Sequence, residues 1–567
     1  MSSRRGIILI VVLVVIVLMT LSVVTFDKFM WAQRRATNMT LRQTQARLLA
    51  ESGVEHLRAM LLKDQWTILE LGGLYDNPDE FCGRAVTDGT ISMTGFGAGT
   101  RTSLGNIDDR DVGRYTVIAP ALSEDGMLFG EQIRYGLEDE SCKVNLRWVL
   151  QTDLQSPGSG RTFLMRLPGI TEEIADAILD WIDDSSDEPR EFGAKDEYYM
   201  NLDPPIYCRN GMPDFLDELL LVRGVTPKLL YGIDWNRNGI IDLGEPDETS
   251  LAEYDVLDGS LNLGLIAYLT LDSRESVMTP DGLDKINVNM EDLTELRSLL
   301  EERFEDYPGY ADAIIAYRQT NPSEQTPSGG NANLGDIISG LLGGNTGGGN
   351  TGGGNANEGT KINSLLDLVG TQGSPFVDDP DEMNEYLPIL YDNLMIQDTP
   401  VVGRININQA SRTVLEFFAA QEDDLTDTAL LLGIGTDAAS ELLGGNSALS
   451  QMDVWEIIDG VIAYRVSDPA LIEYPEMNYP FWPYTHGIVA DLATMKQLEP
   501  YFCTQGAVFK ATVVGRFDER SPVSRLEVWL DAAEGRKLPK IIRIRDISEL
   551  GPGYSAELLG ADGFVIQ

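Results

Sequence analysis

The sequence predicts an α+β fold in which a long N-terminal helix packs on an antiparallel sheet, and a large, mainly α-helical region is inserted into that sheet. Two observations predict this fold. Residues 7–65 carry a continuous helical pattern, and strand-like runs lie near both ends of the chain with helical patterns between them. The strand-like runs are residues 90–96, 114–122, 507–517, 524–532 and 540–550. We therefore expect the C-terminal strands to complete a sheet that the early strands begin.

The N-terminal helix has two halves of different character. Residues 7–26 are apolar and uncharged, and as a helix they would span about 30 Å, the thickness of a bilayer's hydrocarbon core. Residues 27–65 are more polar and contain no proline. Small and apolar residues in this second half recur at three-to-four spacing, which predicts a buried face. They are Ala46, Leu49, Ala50, Val54, Leu57 and Leu61.

The composition restricts the function classes. A chain of 567 residues suggests more than one domain, and a net charge of -46 disfavours binding to nucleic acid or to anionic membrane surfaces. The four cysteines are widely spaced without a C-x-x-C motif, so a disulfide and free thiols both remain open. No G-x-S-x-G, H-E-x-x-H or P-loop motif occurs, and only two histidines are present. We therefore expect no enzymatic activity and assign no catalytic residue.

The middle of the chain repeats two short patterns. The first is an extended turn that reads KVNL at 143–146, KINVN at 285–289 and RININ at 404–408. In the last two copies an amphipathic helix follows, and we expect Asn289 and Asn408 to cap these helices. The second pattern is helical and occurs at residues 172–183, 310–319 and 455–466. These repeats predict related helical subdomains.

A helix-hairpin-helix motif is predicted at residues 164–183, where Leu-Pro-Gly-Ile would form the tight hairpin. Such hairpins present backbone N–H groups to phosphate in DNA-binding proteins. Here acidic side chains surround the hairpin, whereas phosphate binding requires lysine and arginine. A protein-contact role is therefore favoured over nucleic-acid binding.

Residues 234–245 match the EF-hand calcium loop position by position. Hard oxygen ligands at this spacing suit Ca²⁺ better than Mg²⁺, and the predicted role of the ion is structural. With only three carboxylates, a dissociation constant of about 10⁻⁴–10⁻³ M is expected. The predicted ligands are Asp234, Asn236, Asn238, Ile240 through its carbonyl, Asp242 and Glu245, with Gly239 forming the turn.

The first residues resemble those of a known family. Arg4-Arg5-Gly6 directly before an apolar helix resembles the processing site of type IV prepilins and pseudopilins. The resemblance implies cleavage after Gly6 and methylation of Ile7 as the mature N-terminus. Most members carry glutamate at the fifth mature position, which is Val11 here. The K-type minor pseudopilin of type II secretion lacks that glutamate, and residues 138–145 and 183–199 also resemble this type.

This resemblance implies a pilin-like fold, an inner-membrane anchor with the bulk of the chain in the periplasm, and a place at the tip of a pseudopilus. The implied partners are the other minor pseudopilins, the prepilin peptidase and the inner-membrane secretion platform, with the secretin or secreted substrates as further candidates. The expected segments are a leader (1–6), the membrane half (7–26) and periplasmic half (27–65) of the helix, a first β region (66–142), a helical insertion (143–321), a Gly/Asn-rich linker (322–360), a second helical part (361–502) and a C-terminal β region (503–567).

Two alternatives stay open at this point. One is a membrane-anchored DNA-uptake receptor that uses the helix-hairpin-helix. The other is a generic calcium-binding scaffold with a plain, uncleaved anchor.

Overall fold

The computed structural model describes residues 4–86, 112–254, 256–319, 360–371, 374–417, 451–467, 475–517, 521–535 and 537–560. The predicted strand at 90–96 and most of the Gly/Asn-rich linker lie outside these residues.

The helices and strands alternate with long connections. The helices are α1 (Arg4–Leu61), α2 (Gln65–Glu70), α3 (Pro78–Phe81), α4 (Leu146–Gln155), α5 (Ser159–Leu164), α6 (Glu172–Ile182), α7 (Asp196–Tyr199), α8 (Pro227–Tyr231), α9 (Leu293–Arg303), α10 (Tyr310–Gln319), α11 (Pro380–Asn393), α12 (Arg412–Glu416), α13 (Gln451–Ser467), α14 (Trp482–Thr485) and α15 (Leu492–Leu498). The strands are β1 (Arg84–Val86), β2 (Gly113–Pro120), β3 (Ile133–Arg134), β4 (Glu138–Asp139), β5 (Val144–Asn145), β6 (Leu269–Thr270), β7 (Ile286–Asn287), β8 (Leu394–Met395), β9 (Ile405–Asn406), β10 (Phe502–Cys503), β11 (Val508–Arg516), β12 (Ser524–Asp531) and β13 (Lys540–Asp546).

One antiparallel sheet joins the two ends of the chain. Its strand order is β1-β2-β11-β12-β13, with β3 beside β2 and β4 beside β11. The register of β2 and β11 runs from Ile118 opposite Thr512 to Arg114 opposite Arg516. The C-terminal strands therefore complete the sheet that β2 begins, as predicted, and the residues between them form an insertion. The predicted α+β class is confirmed.

Helix α1 packs on this sheet through the face that the sequence predicts. All six predicted residues are buried: Ala46, Leu49, Ala50, Val54, Leu57 and Leu61. The contact is very close at Gly515 of β11, where an added Cβ would lie 2.1 Å from the Ala46 carbonyl oxygen. Small residues on both elements thus let the two backbones touch.

The insertion contains three units built in the same way, which confirms the repeats seen in the sequence. Each unit starts with an asparagine-containing strand that later pairs in parallel with the strand that ends the unit. The paired strands are β5 with β6, β7 with β8 and β9 with β10. We call the units A (143–272), B (285–398) and C (404–503). The second repeated pattern forms α6, α10 and part of α13, one helix in each unit.

The prediction that Asn289 and Asn408 cap helices is wrong. Asp292 caps α9 and Ser411 caps α12. Asn289 instead donates to the carbonyls of residues 362 and 396, and Asn408 to that of residue 477. A buried amide with both donor and acceptor groups can bridge distant loops, so these side chains hold units B and C closed rather than starting a helix.

The close contact of α1 with β11 gives a test of the fold. We expect Gly515→Ala to lower the free energy of unfolding by about 1–3 kcal/mol, because the new methyl group meets backbone atoms that cannot move aside. Urea unfolding of the full chain in detergent would measure this. Gly211→Ala is the control, since an added Cβ there meets no atom within 4 Å. Equal stability of the two variants would contradict the packing described.

Candidate functional site

The predicted processing residues lie at the start of α1. The helix begins at Arg4, so Gly6 and Ile7 belong to its first turns. Val11 is 55% exposed, and the apolar side chains that follow it are exposed as well. Within the described part of the chain, this is the one helix long and apolar enough to cross a membrane. A single N-terminal membrane span is consistent with these properties.

The acidic side chains beside the predicted hairpin form an internal ion network. Arg190 contacts Asp153, Asp180 and Asp183 at 2.8, 2.9 and 3.0 Å. Nearby, Arg161 bonds Asp176 at 2.7 Å. Burial raises the pKa of Asp180, although the bonds from Arg190 oppose the rise. These aspartates therefore pair with internal arginines and organise unit A.

The hairpin segment itself consists of α5 and α6 joined by residues 165–171. Helix α6 buries nearly its whole length, and Trp181 packs edge-on against Tyr199 with ring centres 5.0 Å apart. The segment is thus a core element of unit A. Its assignment as a helix-hairpin-helix motif stays a prediction.

The calcium-loop residues fold into one closed loop. The Asp234 carboxylate accepts bonds from the backbone N–H groups of Asn238 and Gly239 at 3.1 and 2.8 Å. The Glu245 carboxylate accepts from the N–H groups of Asn236 and Asp242 at 3.2 and 2.9 Å. Gly239 has φ +76, the left-handed conformation that the sixth position of such a loop requires. The first and last predicted ligands therefore hold the loop together.

Three predicted ligands meet inside this loop. The side-chain amides of Asn236 and Asn238 each donate to the same oxygen of Asp242 at 2.9 Å. The Asn236 Oδ1 atom is buried and has no hydrogen-bond partner among the residues that the structure describes. Amide oxygen and nitrogen can exchange places by a 180° turn. After that turn, Asn236 would offer an oxygen to the point where these side chains meet.

The electrostatics of the loop favour a positive charge. Burial raises the pKa of Asp234 to about 6, the Glu245 carboxylate adds to the rise, and the bonded N–H groups oppose it. In the described ranges, Asp234, Asp242 and Glu245 form no ion pair. The same ranges contain no group of three or more His, Cys, Asp or Glu side chains that could hold a metal ion. Amide and carbonyl oxygens, here Asn236, Asn238 and Ile240, would have to complete the ligand set, as they do in EF-hand loops.

Sequence reasoning missed the residues that support the loop from outside. Arg525 of β12 is fully buried and donates to the carbonyls of Asn236 and Arg237 at 3.0 and 2.7 Å. Its partners are almost 300 positions away in the chain, so local sequence carried no signal for the contact.

The sequence left open whether the four cysteines form a disulfide. In the structure, all four are free thiols: Cys82, Cys142, Cys208 and Cys503.

The ion network of unit A gives a second test. We expect Arg190→Gln to lower the free energy of unfolding by about 3 kcal/mol, because three carboxylates lose their common partner. Arg297→Gln serves as the control. Arg297 pairs with Glu301 and Asp312, which are 60% and 74% exposed, and its loss should cost less than about 1 kcal/mol. Chemical unfolding of both variants measures the two decreases in the free energy of unfolding. Decreases of similar size would mean that the ion network stabilises the protein no more than a surface pair does.

Comparison with known proteins gives one match. Residues 142–233 match the family model of type II secretion system (T2SS), protein K. The matched residues cover most of unit A, including Arg190 and its aspartates. The search of curated proteins gives no match, and neither does the search of solved structures. Residues 142–233 of this chain are therefore similar to protein K of the type II secretion system, as the sequence resemblance predicts.

Proposed function

We propose that this chain is a K-type minor pseudopilin of a type II secretion system, and that it caps the tip of a periplasmic pseudopilus and supports protein export across the outer membrane. The position of the insertion relative to α1 carries the proposal. The residues that follow α1, between 61 and 76, line one cleft with residues 275–285 of the insertion and with 503–507. Gln65 also bonds Gln505 at 3.4 Å. The insertion thus lies over the end of α1 opposite the apolar segment, where another subunit would otherwise stack.

The residue at Val11 supports the same role. A carboxylate within a lipid-embedded helix costs roughly 2.5–3.5 kcal/mol on insertion scales, so it is retained where a partner neutralises it. Val11 offers no such group, so this helix needs no charged partner from a subunit above it. A subunit of this kind suits the first position of an assembly better than repeated addition along it.

The proposed place of the protein follows from these features. The apolar segment anchors it in the bacterial inner membrane, and the sheet with its insertion occupies the periplasm. Its partners are the other minor pseudopilins and the inner-membrane secretion platform, and the prepilin peptidase processes it. Contact with the secretin or with secreted substrates would take place through the insertion. The role is architectural and includes no catalytic step.

Mass spectrometry of the N-terminus tests the pseudopilin pathway. When the chain is produced together with its own prepilin peptidase, we expect a mature protein that begins at N-methylated Ile7. Gly6→Val should abolish the cleavage, while Val11→Ala should leave it unchanged because Val11 lies beyond the cut. A chain that retains Gly6 in the presence of active peptidase would contradict the proposal. It would favour the plain anchor of a calcium-binding scaffold.

A structural Ca²⁺ ion is part of the proposed function. Asp234, Asp242 and Glu245 would contribute carboxylate oxygens, and Asn236 its amide oxygen after the turn described above. Asn238 would contribute its amide oxygen in exchange for the bond that this oxygen accepts from the Ile240 N–H at 2.7 Å. Ile240 would contribute its carbonyl. The unpartnered Asn236 oxygen and the raised pKa of Asp234 support this assignment, because a cation would relieve both. The ion would supply positive charge that fixes the loop.

Metal titration of the full chain in detergent tests the calcium loop. We expect Ca²⁺ to bind with a dissociation constant of about 10⁻⁴–10⁻³ M by isothermal calorimetry. Trp235, which is 62% exposed at the second loop position, should sensitise Tb³⁺ luminescence that Ca²⁺ quenches by competition. Asp234→Asn should remove both signals. Glu253→Gln, a surface carboxylate paired with Lys228 outside the loop, should keep them. Binding that survives Asp234→Asn would place the ion elsewhere.

A further inference from the structure

The three units of the insertion carry a positively charged residue at the same position. Lys143, Lys285 and Arg404 each stand directly before the first strand of units A, B and C. Lys143 and Arg404 are buried, and each contacts two glutamates, at 2.9 and 3.1 Å in unit A and at 3.4 and 3.7 Å in unit C. Lys285 forms no ion pair and donates no side-chain hydrogen bond to any residue in the described ranges. Unit B therefore lacks the negative charge that accompanies this position in the other two units.

The charged groups near Lys285 are engaged elsewhere. Glu275 and Asp392 are the carboxylates that act on it electrostatically. Glu275 contacts Arg404 at 3.4 Å, and Asp392 accepts a hydrogen bond from the Tyr479 hydroxyl at 3.0 Å. Burial lowers the pKa of Lys285 and Arg404 adds to the decrease, while the two carboxylates oppose it. Because an ammonium group taken out of water without a partner is costly, this position favours an additional negative group.

Lys285 lies in the wall of the cleft between the end of α1 and the insertion. The cleft has a volume of about 1060 Å³, at the upper limit of the range of about 300–1,000 Å³ that is usual for ligand sites. Lys285 is half-buried. The lining contributed by residues 61–76 is partly apolar, since Leu62 is 44% exposed and Ile68 and Leu74 are half-buried. The cleft thus combines an apolar part with one unpaired ammonium group.

We propose that this cleft binds an extended, acidic peptide segment of another protein, and that Lys285 pairs with one of its carboxylates. Successive side chains of an extended peptide point in opposite directions. A segment that alternates apolar and acidic residues therefore contacts Leu62 and Ile68 with one set of side chains and reaches Lys285 with the other. The carboxylate of the peptide takes the place that glutamates occupy in units A and C.

The charge of the chain restricts where such a peptide can bind. With a net charge of -46, the protein as a whole repels an acidic peptide. The attraction therefore has to come from a local site. The inference goes beyond the tip position proposed above and does not depend on it, because it uses only the cleft and its charged groups.

Two labelled peptides test the preference for a carboxylate. The probes are fluorescein-labelled Val-Glu-Val-Glu-Val and Val-Gln-Val-Gln-Val, titrated with the full chain in detergent and followed by fluorescence anisotropy. We expect the glutamate peptide to bind about tenfold more tightly or better, because it adds a hydrogen bond between charged groups. Free glutarate has carboxylates but no apolar side chains, and it should compete about tenfold more weakly than the unlabelled glutamate peptide.

Substitutions of two lysines in the cleft test the role of Lys285. Lys285→Gln should weaken binding of the glutamate peptide by about tenfold or more and leave binding of the glutamine peptide unchanged. Lys63→Gln is the matched control, because Lys63 is an exposed lysine of the same cleft, and it should leave both affinities unchanged. Lys285→Gln should also preserve the free energy of unfolding, since Lys285 has no partner to lose, whereas Lys143→Gln should lower it.

Each of four results would overturn the proposal. A wild-type chain that binds neither peptide, or both equally, has no such site. Equal weakening by Lys285→Gln and Lys63→Gln would show a general attraction between charges. A loss of stability in Lys285→Gln as large as that in Lys143→Gln would show that Lys285 has a structural partner. Glutarate that competes as strongly as the peptide would show a site for small carboxylates. None of these results bears on N-terminal processing, so the proposed function would stand.

Discussion

The pairing of β2 with β11 is the contact on which the rest of the molecule depends. It joins an early strand to a strand near the end of the chain, and α1 packs across both. Because the entropic cost of closing a loop grows only slowly with its length, a sheet can accept a long insertion between two paired strands. The pairing fixes both ends of the insertion beside the sheet. It thereby keeps units A to C beside the sheet and brings the loop at 234–245 against β12.

The buried carboxylates of this acidic chain have two kinds of partner. Most buried acids meet a basic partner, as around Arg190 and around Lys143, which contacts Glu138 and Glu140 at 2.9 and 3.1 Å. The carboxylates of the loop at 234–245 differ, because backbone N–H groups and side-chain amides satisfy them, as they also satisfy the buried Asp139. Buried acids of both kinds thus hold parts of the fold together.

Local patterns in the sequence predicted those parts of the fold that depend on neighbours along the chain. The spacing of Ala46, Ala50 and Val54 predicted the buried face of α1, and the loop spacing predicted the turn at Gly239. Asn289 and Asn408 were misjudged because an asparagine can serve a helix end or a distant loop equally well. Arg525 could not be found at all, since nothing in the sequence near β12 indicates a loop in unit A as its partner.

The parallel strand pairs that close units A, B and C have a consequence for how such a chain can change. Because the first and last strands of each unit are paired, the chain enters and leaves the unit at neighbouring positions. Such a unit can lengthen internally while its two ends stay at those positions. Units A and C also share one apolar core, in which Phe163 stacks on Phe417 with ring centres 5.4 Å apart, so a change at that contact involves both units. Proteins built in this way can differ greatly in length while keeping one common framework.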